Sequence, residues 1–400
     1  MLDVITRDEA VAAVTELAAG QPPETELLPL SQAFGRVLAR DVRAGENVPP
    51  FDRSTVDGYA VRAEDTFGAG ASIPAQLDVA GEIPMGQAPA FSLHRGQCAR
   101  IATGGMLPPG ADAAVMVEHT DAEHGLCLVY RPVAPGENVT KAGDDIRQGQ
   151  TALPKGRRIG VAETAVLAAL GIDPVPVFRK PRVAVLSTGD EITGRTDRPG
   201  QIRDINGALL CAALTGLGAE AVFLGAVPDD RAQILRAVAE GVASCDAVLL
   251  SGGSSAGTRD MTVDVINELG SVRFHGLAMK PGKPTVFGVC GGKPVFGLPG
   301  HPLAAYFVFR LVFRPYLEAL QGGAAEGGAA ARVVRVGENI PSNHGREEFL
   351  CVRINEKGEA VPLHTRSGVI SVLTKADGFI RIPRNCEGIA AGTETEVFEL

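Results

Sequence analysis

The chain has 400 residues, a formal net charge of −9 and a hydrophobic content of 45%, which is ordinary for a globular protein with a sizeable core. The acidic balance argues against broad nucleic-acid binding, because phosphate backbones are held by basic surfaces. No apolar run approaches the ~20 residues of a membrane-spanning helix, and the first residues lack the basic and apolar parts of a signal peptide. We therefore expect neither nucleic acid nor membrane as a partner.

The seven cysteines are scattered along the chain and form no C-x-x-C pair. Such a pattern is typical of reduced thiols in the core of a cytoplasmic protein, and it gives little support to a structural zinc site. We therefore expect a cytoplasmic location.

The first part of the chain combines helical and all-β segments. Thr6 to Glu9 has the form of a capping box, the apolar spacing that follows predicts a helix ending at Gly20, and residues 36–42 are typical of a strand. Residues 46–143 change to short alternating runs separated by Gly/Pro turns, which predicts a small all-β unit. A second helix is expected over 163–170. If this helix packs on the first, the β unit is inserted into a helical or linking domain made of residues 1–45 and 144–178.

From residue 179 to residue 322, strand and helix patterns alternate. Continuous apolar runs joined by helical segments indicate a parallel sheet with helices on both faces. The predicted strands are 183–186, 221–224 and 247–250, and the predicted helices are 208–217, 231–242 and 263–269. A glycine-rich linker follows, and the alternating runs within 329–400 predict a small β barrel or sandwich.

Three turns rich in glycine and proline follow apolar runs of the α/β unit: SGG at 251–253, KPGKP at 280–284 and PGHP at 299–302. Glycine lets backbone N–H groups approach an oxyanion closely, and Lys280 and Lys283 supply the countercharge. Ligands of open α/β sheets bind at the carboxyl ends of strands. The three turns therefore predict an anion site, most simply for a phosphorylated ligand, although KPGKP alone could be a solvated turn and His301 a turn residue.

Acidic residues follow several of the predicted strands, among them Glu191, Asp229 and Asp260. Each alone could be a helix N-cap or part of a capped turn. Together, carboxylates beside an anion site suggest Mg²⁺ or another divalent cation, which prefers oxygen ligands and often bridges phosphates.

The β unit carries special loops of its own, around Asp57, Thr103 and Asp145. Asp57 before a glycine could simply form an Asx turn. These loops lie far in sequence from the α/β unit. A functional role requires the β unit to close over the anion site, in the same chain or from a partner subunit.

Five of these segments, in order along the chain, together resemble the MoeA family of molybdopterin molybdenumtransferases, to which the E domain of gephyrin is also similar. They are DRSTVDGYAV at 52–61, STGDE at 187–191, SGG at 251–253, KPGKP at 280–284 and LPGHP at 298–302. The resemblance covers essentially the whole chain. It implies an elongated, multidomain α/β plus β subunit with a MogA-like doubly wound α/β domain, an inserted all-β domain, a small helical or linking domain and a C-terminal β barrel.

The resemblance also implies a homodimer, with the active cleft between the α/β domain of one subunit and the β domain of the other. The implied reaction takes adenylylated molybdopterin and molybdate, uses a divalent cation, releases AMP and leaves molybdenum on the dithiolene sulfurs. Transient contacts with the molybdopterin adenylyltransferase and with cofactor-accepting enzymes would follow.

Carried over by motif, the resemblance implies three sets of site residues. The catalytic set is Asp57, Asp145, Glu191 and Lys280. The substrate-binding set is Thr103, Ser251, Gly252, Gly253, Lys280, Lys283, Pro299, Pro302 and Ser371, and the metal set is Glu191, Asp229 and Asp260. Two positions depart from the family pattern, with Thr140 in place of an arginine and Gly276 where a lysine can occur.

Two other functions remain open at this point. One is the preceding reaction, adenylylation of molybdopterin, whose enzyme shares the α/β domain type but not the extra β domains. The other is a scaffold that uses the fold only to bind partners. The acidic and lysine positions argue against the scaffold.

Overall fold

The computed structural model describes residues 4–193, 199–252, 256–322, 332–363 and 367–400, with side chains described at all of these positions except 193 and 256–260. The α-helices in these ranges are α1 (Arg7–Ala19), α2 (Val161–Ala169), α3 (Ile205–Gly216), α4 (Arg231–Ser244), α5 (Ala256–Leu269), α6 (Pro302–Val308) and α7 (Arg314–Leu320). A π-helical turn, Phe309–Phe313, joins α6 to α7.

The strands are short, and most of them lie in one of three six-stranded sheets. In chain order they are β1 (Thr25–Leu28), β2 (Val42–Arg43), β3 (Arg53–Ser54), β4 (Gly58–Val61), β5 (Ala75–Glu82), β6 (Gln97–Ile101), β7 (Ala113–Met116), β8 (Thr120–Glu123), β9 (Leu126–Val129), β10 (Val139–Thr140), β11 (Thr151–Leu153), β12 (Val175–Phe178), β13 (Arg182–Thr188), β14 (Ile192–Thr193), β15 (Ile202–Arg203), β16 (Glu220–Val227), β17 (Ala247–Gly252), β18 (Gly270–His275), β19 (Met279–Lys280), β20 (Val286–Cys290), β21 (Lys293–Leu298), β22 (Arg332–Arg335), β23 (Ile340–Pro341), β24 (Glu347–Ile354), β25 (Ala360–Pro362), β26 (Gly378–Ile382), β27 (Gly388–Ile389) and β28 (Glu394–Phe398).

The N-terminal helix forms as predicted, but it packs elsewhere. Thr6 caps α1 in a capping box with Glu9, and Gly20 ends the helix. Packing of α1 on α2 is not observed, because the two helices belong to different cores. The buried face of α1 joins the core of the α/β sheet, whereas α2 contributes to a separate core. An amphipathic stripe predicts that a helix is buried but does not identify the surface that buries it.

The separate core is built from both halves of the predicted linking segment. β1 pairs with β12 and β2 pairs with β11, both antiparallel. The predicted strand over 36–42 is wrong in form, because only isolated bridges at Val37 and Leu38 precede the two-residue β2. The all-β unit lies between these halves as a sheet of order β7-β4-β6-β5-β9-β8, so its predicted all-β character is confirmed.

The α/β unit has a sheet of order β16-β13-β17-β21-β20-β18. The first four strands are parallel, as expected, but β20 runs antiparallel to both of its neighbours. The fully parallel sheet is therefore a wrong prediction. β20 and β21 are joined by Gly291 and Gly292, both at positive φ, so the chain returns through a tight hairpin without a crossover helix.

The two faces of this sheet are both covered, as the apolar strands predicted. Val183 and Val185 face a core shared with α1, α3 and the helical stretch from α6 to α7, while Ala184 and Leu186 face a core with α4 and α5. The C-terminal strands form the expected barrel. β22, β28, β26, β24 and β25 follow one another, and a bridge between Val336 and Ala360 closes the ring.

The molecule has a large surface for its mass. Its accessible surface is 19807 Å², whereas a compact monomer of 41.6 kDa exposes about 15,000 Å². The excess agrees with an elongated subunit of several parts. None of the helices in the described ranges has the length and apolar character that crossing a membrane requires.

Candidate functional site

The carboxyl edge of the α/β sheet brings together residues that are distant in sequence. Strand register places Ser187 beside Ser251, and Ser251 beside Leu298. Gly252 is required here by close approach, since a Cβ atom at this position would lie 2.1 Å from the carbonyl oxygen of Thr188. Strand β18 runs parallel to β17, so the loop that joins β18 to β20 begins at the same edge of the sheet. This loop contains the KPGKP turn. The three Gly/Pro turns therefore meet, as the sequence predicted.

Asn206, in the first turn of α3, links two of these turns. Its side-chain N–H groups donate to Ser251 Oγ at 2.7 Å and to the carbonyl oxygen of Gly300 at 2.9 Å. The sequence reasoning missed Asn206. A local signal was available, because an aspartate two residues earlier is a common N-cap, and Asp204 caps α3 by accepting a hydrogen bond from the N–H of Gly207 at 2.8 Å.

Three buried oxygen atoms at this edge are without a hydrogen bond from any described residue. They are Ser187 Oγ, Asp204 Oδ2 and Asn206 Oδ1. Buried polar atoms in native proteins are almost always paired with protein, water or ligand. Such oxygen atoms suit a polar ligand or an ordered water.

The cleft beside Ser251 has a volume of about 250 Å³ and is lined by Thr188, Glu191, Asn206, Ser251 and Pro302, among others. Glu191 folds back over Gly189, where a Cβ atom would lie 2.8 Å from Glu191 Oε2. The neighbouring strand β16 brings Asp229 to the same loop, and its N–H donates to Asp190 Oδ1 at 3.1 Å.

The donor set of the predicted metal site is only partly described. Glu191 and Asp229 lie on adjacent loops and offer carboxylate oxygens, the ligand type that Mg²⁺ prefers. Asp260 lies in α5, but its side chain is outside the described residues, as is Gly253. Within the described part of the chain, no group of three or more His, Cys, Asp or Glu side chains is close enough to hold a metal.

Lys280 connects the α/β unit to the barrel. β19 leaves the α/β sheet and pairs in parallel with β24, which places Lys280 opposite Glu348. The Nζ atom of Lys280 lies 2.7 Å from Glu348 Oε1, and Ser342 Oγ donates to Glu348 Oε2 at 2.7 Å. No pattern in the sequence indicated this buried partner in another sheet.

A second cleft of about 570 Å³ lies between the α/β unit and the barrel. Three of the predicted residues, Lys280, Lys283 and Pro299, line it together with Arg346 and His301. The third cation, Arg346, was not predicted, and it strengthens the match to an anionic ligand.

Two further predicted residues lie near these clefts. Pro302 is the first residue of α6 and is buried. The imidazole Nδ1 of His301, which precedes it as N-cap, lies 2.7 Å from Ser367 Oγ. Ser371 is exposed in the 3₁₀ turn Ile370–Thr374, and it is not among the residues lining either cleft.

The loops of the β unit form a separate polar group. Thr103 donates its backbone N–H to Asp57 Oδ1 at 2.7 Å, and this bond and the Thr103 hydroxyl hold the pKa of Asp57 below its ordinary value. Asp57, Thr103 and Asp145 are all exposed. Lys141 lies 2.9 Å from Asp52 Oδ2. Burial of Asp52 opposes ionisation, but the N–H of Ala142 and the Lys141 ammonium hold its pKa below the ordinary value.

The two departures from the family pattern have clear places in the fold. Thr140 lies in β10 and pairs with Arg53 of β3, so a cation is present next to that position. Gly276 has φ of 116°, a conformation that side chains disfavour. Its backbone N–H donates to the carbonyl oxygen of Thr285 at 2.8 Å.

Comparisons with known proteins agree over the length of the chain. Family models match consecutive parts: "MoeA N-terminal region (domain I and II)" over 5–171, "Probable molybdopterin binding domain" over 184–319 and "MoeA C-terminal region (domain IV)" over 333–400. Molybdopterin molybdenumtransferase 2 of Mycobacterium tuberculosis is 34% identical over 383 residues, covering 93% of this chain and 94% of its own.

Other relatives give the same picture. Molybdopterin molybdenumtransferase of Bacillus subtilis is 33% identical over 401 residues, covering 98% of this chain and 93% of its own. The crystal structure of a molybdopterin biosynthesis MoeA protein from Pyrococcus horikoshii superimposes with a TM-score of 0.87 at 43% identity, covering 99% of each chain.

Proposed function

The chain belongs to the MoeA family, and from this premise we propose that it is a molybdopterin molybdenumtransferase, which inserts molybdate into adenylylated molybdopterin and releases AMP. The observation that carries the proposal is the alignment with relatives of that name over 93% of this chain and 94% of theirs. A match of this extent includes every segment that lines the two clefts.

The chemistry of the clefts agrees with this reaction. Molybdate and the pyrophosphate of the substrate are anions, which suits Lys280, Lys283 and Arg346 in one cleft. Cleavage of the phosphoanhydride puts further negative charge on oxygen, and in this proposal Lys280 stabilises that charge. In this proposal Asp57 or Asp145 orients water or molybdate from the opposite wall of the completed site.

We also propose Mg²⁺ or another divalent cation as cofactor, held by Glu191, Asp229 and Asp260. When bound, the cation would neutralise charge on the phosphate oxygens. The adjacency of the Glu191 and Asp229 loops supports the assignment. Titration with Mn²⁺ should show one site per chain that Glu191→Gln weakens, and unchanged Mn²⁺ affinity in that variant would exclude Glu191 as a ligand.

The assembly proposed for this activity is a homodimer in which the β unit of one subunit covers the cleft of the other. Exposure of Asp57 and Thr103 and the large total surface support it. Transient contacts with the adenylyltransferase and with cofactor-accepting enzymes, and a cytoplasmic location, belong to the same proposal. The seven free cysteines agree with that location.

The proposed domain division is 1–45 with 144–178, then 46–143, 179–322 and 329–400. The separate hydrophobic cores of the linking segment, the β unit and the barrel support it. Helix α1 is the exception, because it packs with the α/β unit.

The experiment is to incubate the purified protein with adenylylated molybdopterin, molybdate and Mg²⁺. We expect molybdate-dependent AMP release and a product that activates a cofactor-free molybdenum enzyme. Transfer of AMP from ATP to molybdopterin would indicate the preceding reaction. Absence of binding to any molybdopterin species would indicate a scaffold.

A further inference from the structure

Asn206 occupies a position from which it controls the hydrogen-bonding direction of Ser251. Both residues are buried, with Asn206 8% and Ser251 1% exposed. The carbonyl oxygen of Gly300 can only accept a hydrogen bond, so the atom of Asn206 that faces it at 2.9 Å must be the amide nitrogen. The same nitrogen then donates its second hydrogen to Ser251 Oγ at 2.7 Å.

This arrangement leaves the Ser251 hydroxyl with one defined task. A serine hydroxyl has a single hydrogen and two acceptor positions. Asn206 occupies an acceptor position, and no described residue accepts the hydroxyl hydrogen. Since Ser251 lines the cleft with Glu191 and Gly300, that hydrogen is available to a ligand in the cleft.

We propose that Asn206 is a positioning residue that fixes the Ser251 hydroxyl as a hydrogen-bond donor to an oxyanion oxygen of the ligand. The oxygen belongs to a phosphoryl group or to molybdate, which share this acceptor chemistry. The inference rests on the proposed function for the identity of the ligand. The direction of the donor follows from the contacts of Asn206 alone.

Asn206→Asp provides the sharpest test, because the new carboxylate has the same shape but only accepts. The Ser251 hydroxyl would turn inward to it and be lost to the ligand. Isothermal titration with AMP, and separately with molybdate, should show affinity reduced about tenfold or more, the usual effect of losing a hydrogen bond to a charged group. Ser251→Ala should lose a similar factor.

The double variant separates this role from a structural one. If Asn206 acts through Ser251, then Asn206→Asp with Ser251→Ala binds no more weakly than either single variant. If the affinity losses of the two single variants multiply in the double variant for both ligands, the proposal is overturned. Charge repulsion or a loosened Gly300 turn would act independently of Ser251 and would therefore bring its own loss of affinity. If Asn206→Asp fails to fold, Asn206→Ala replaces it in the same cycle.

Asn267→Asp is the matched control, because it adds the same charge at the far end of α5, where Asn267 is exposed and its Oδ1 accepts from the N–H of Val272. Its binding of both ligands should be unchanged. If the two affinity losses fail to multiply for AMP alone, the oxygen that accepts from Ser251 belongs to a phosphoryl group. If they fail to multiply for molybdate alone, it belongs to molybdate. Wild-type protein that binds neither ligand would overturn this inference and the proposed function together. If wild-type protein releases AMP normally but the affinity losses multiply in the double variant, this inference is overturned and the proposed function is not.

Discussion

Ser251 and Asp57 are both predicted to meet the substrate, but the protein holds them in different ways. Ser251 is 1% exposed, is fixed by strand register on both sides and accepts a hydrogen bond from Asn206. Asp57 is exposed on a loop of the β unit and is held by Thr103. The proposed site therefore has a first wall of tightly held residues at the edge of the α/β sheet and a second wall around Asp57 that is exposed.

The largest effect is expected at the first wall, from Lys280→Met. Removing the cation that faces the anionic cleft should lower the rate of molybdenum insertion by about a thousandfold, near the upper end for a single charge-stabilising group. The change also leaves Glu348, which is 5% exposed, without its cation. We expect the free energy of unfolding to fall by about 1–3 kcal/mol.

A second substitution separates these two consequences. Adding Glu348→Gln to Lys280→Met removes the unpaired charge, so stability measured by urea denaturation should return while activity does not. Recovery of activity in the double variant would show that Lys280 acts only through the fold.

At the second wall, Asp57→Asn should lower the rate by about a hundredfold, in the range for a group that assists proton transfer or orients a reactant. Asparagine can still accept the hydrogen bond from Thr103, and the site is exposed. The free energy of unfolding should therefore change little. Asp121→Asn, an exposed position on β8 of the same sheet, is the control and should keep full activity. Equal rates for the two variants would remove Asp57 from the site.

A mixture of these two impaired variants tests whether the two walls come from different subunits. In a mixed dimer of Lys280→Met and Asp57→Asn, one site would combine an intact Lys280 with an intact Asp57 from the other chain. Random exchange should then restore about a quarter of wild-type activity, because half of the dimers are mixed and each has one intact site. If both walls belong to the same chain, mixing restores nothing. Recovery in the mixture after subunit exchange is the measurement.

The same contrast explains what the sequence could predict. Apolar runs and helical spacing identified most elements of the α/β unit, and the Thr6 cap placed α1, because these signals are local. The direction of β20 was missed, since a Gly-Gly hairpin and a crossover helix both follow an apolar run. Glu348 was missed for another reason: its pairing with Lys280 depends on how β19 meets β24, which no local pattern specifies.

The candidate site divides in the same way. Lysines and acids at strand ends have side chains whose chemistry indicates a use, and glycines mark a close approach of the backbone. Lys280, Glu191 and Ser251, which precedes Gly252, could therefore be named as candidates from the sequence. Asn206 has an uncharged side chain in a helix, and its role comes from the distance between α3 and the Gly300 turn. Only the packed structure brings those two together.

The smallest predicted effect concerns the charge of Asp57. The Thr103 hydrogen bonds favour the carboxylate, so nuclear magnetic resonance titration should give Asp57 a pKa below the ordinary value. A lowered pKa means that ionised Asp57 stabilises the fold above the ordinary pKa, and that this stabilisation is lost as the pH falls through the pKa of the folded state. Thr103→Val removes the hydroxyl but keeps the backbone N–H, so the pKa should rise only part of the way. If Thr103→Val leaves the pKa of Asp57 unchanged, the backbone N–H of Thr103 accounts for the whole shift. If Asp57 has an ordinary pKa in the wild type, Thr103 does not hold the Asp57 side chain in solution.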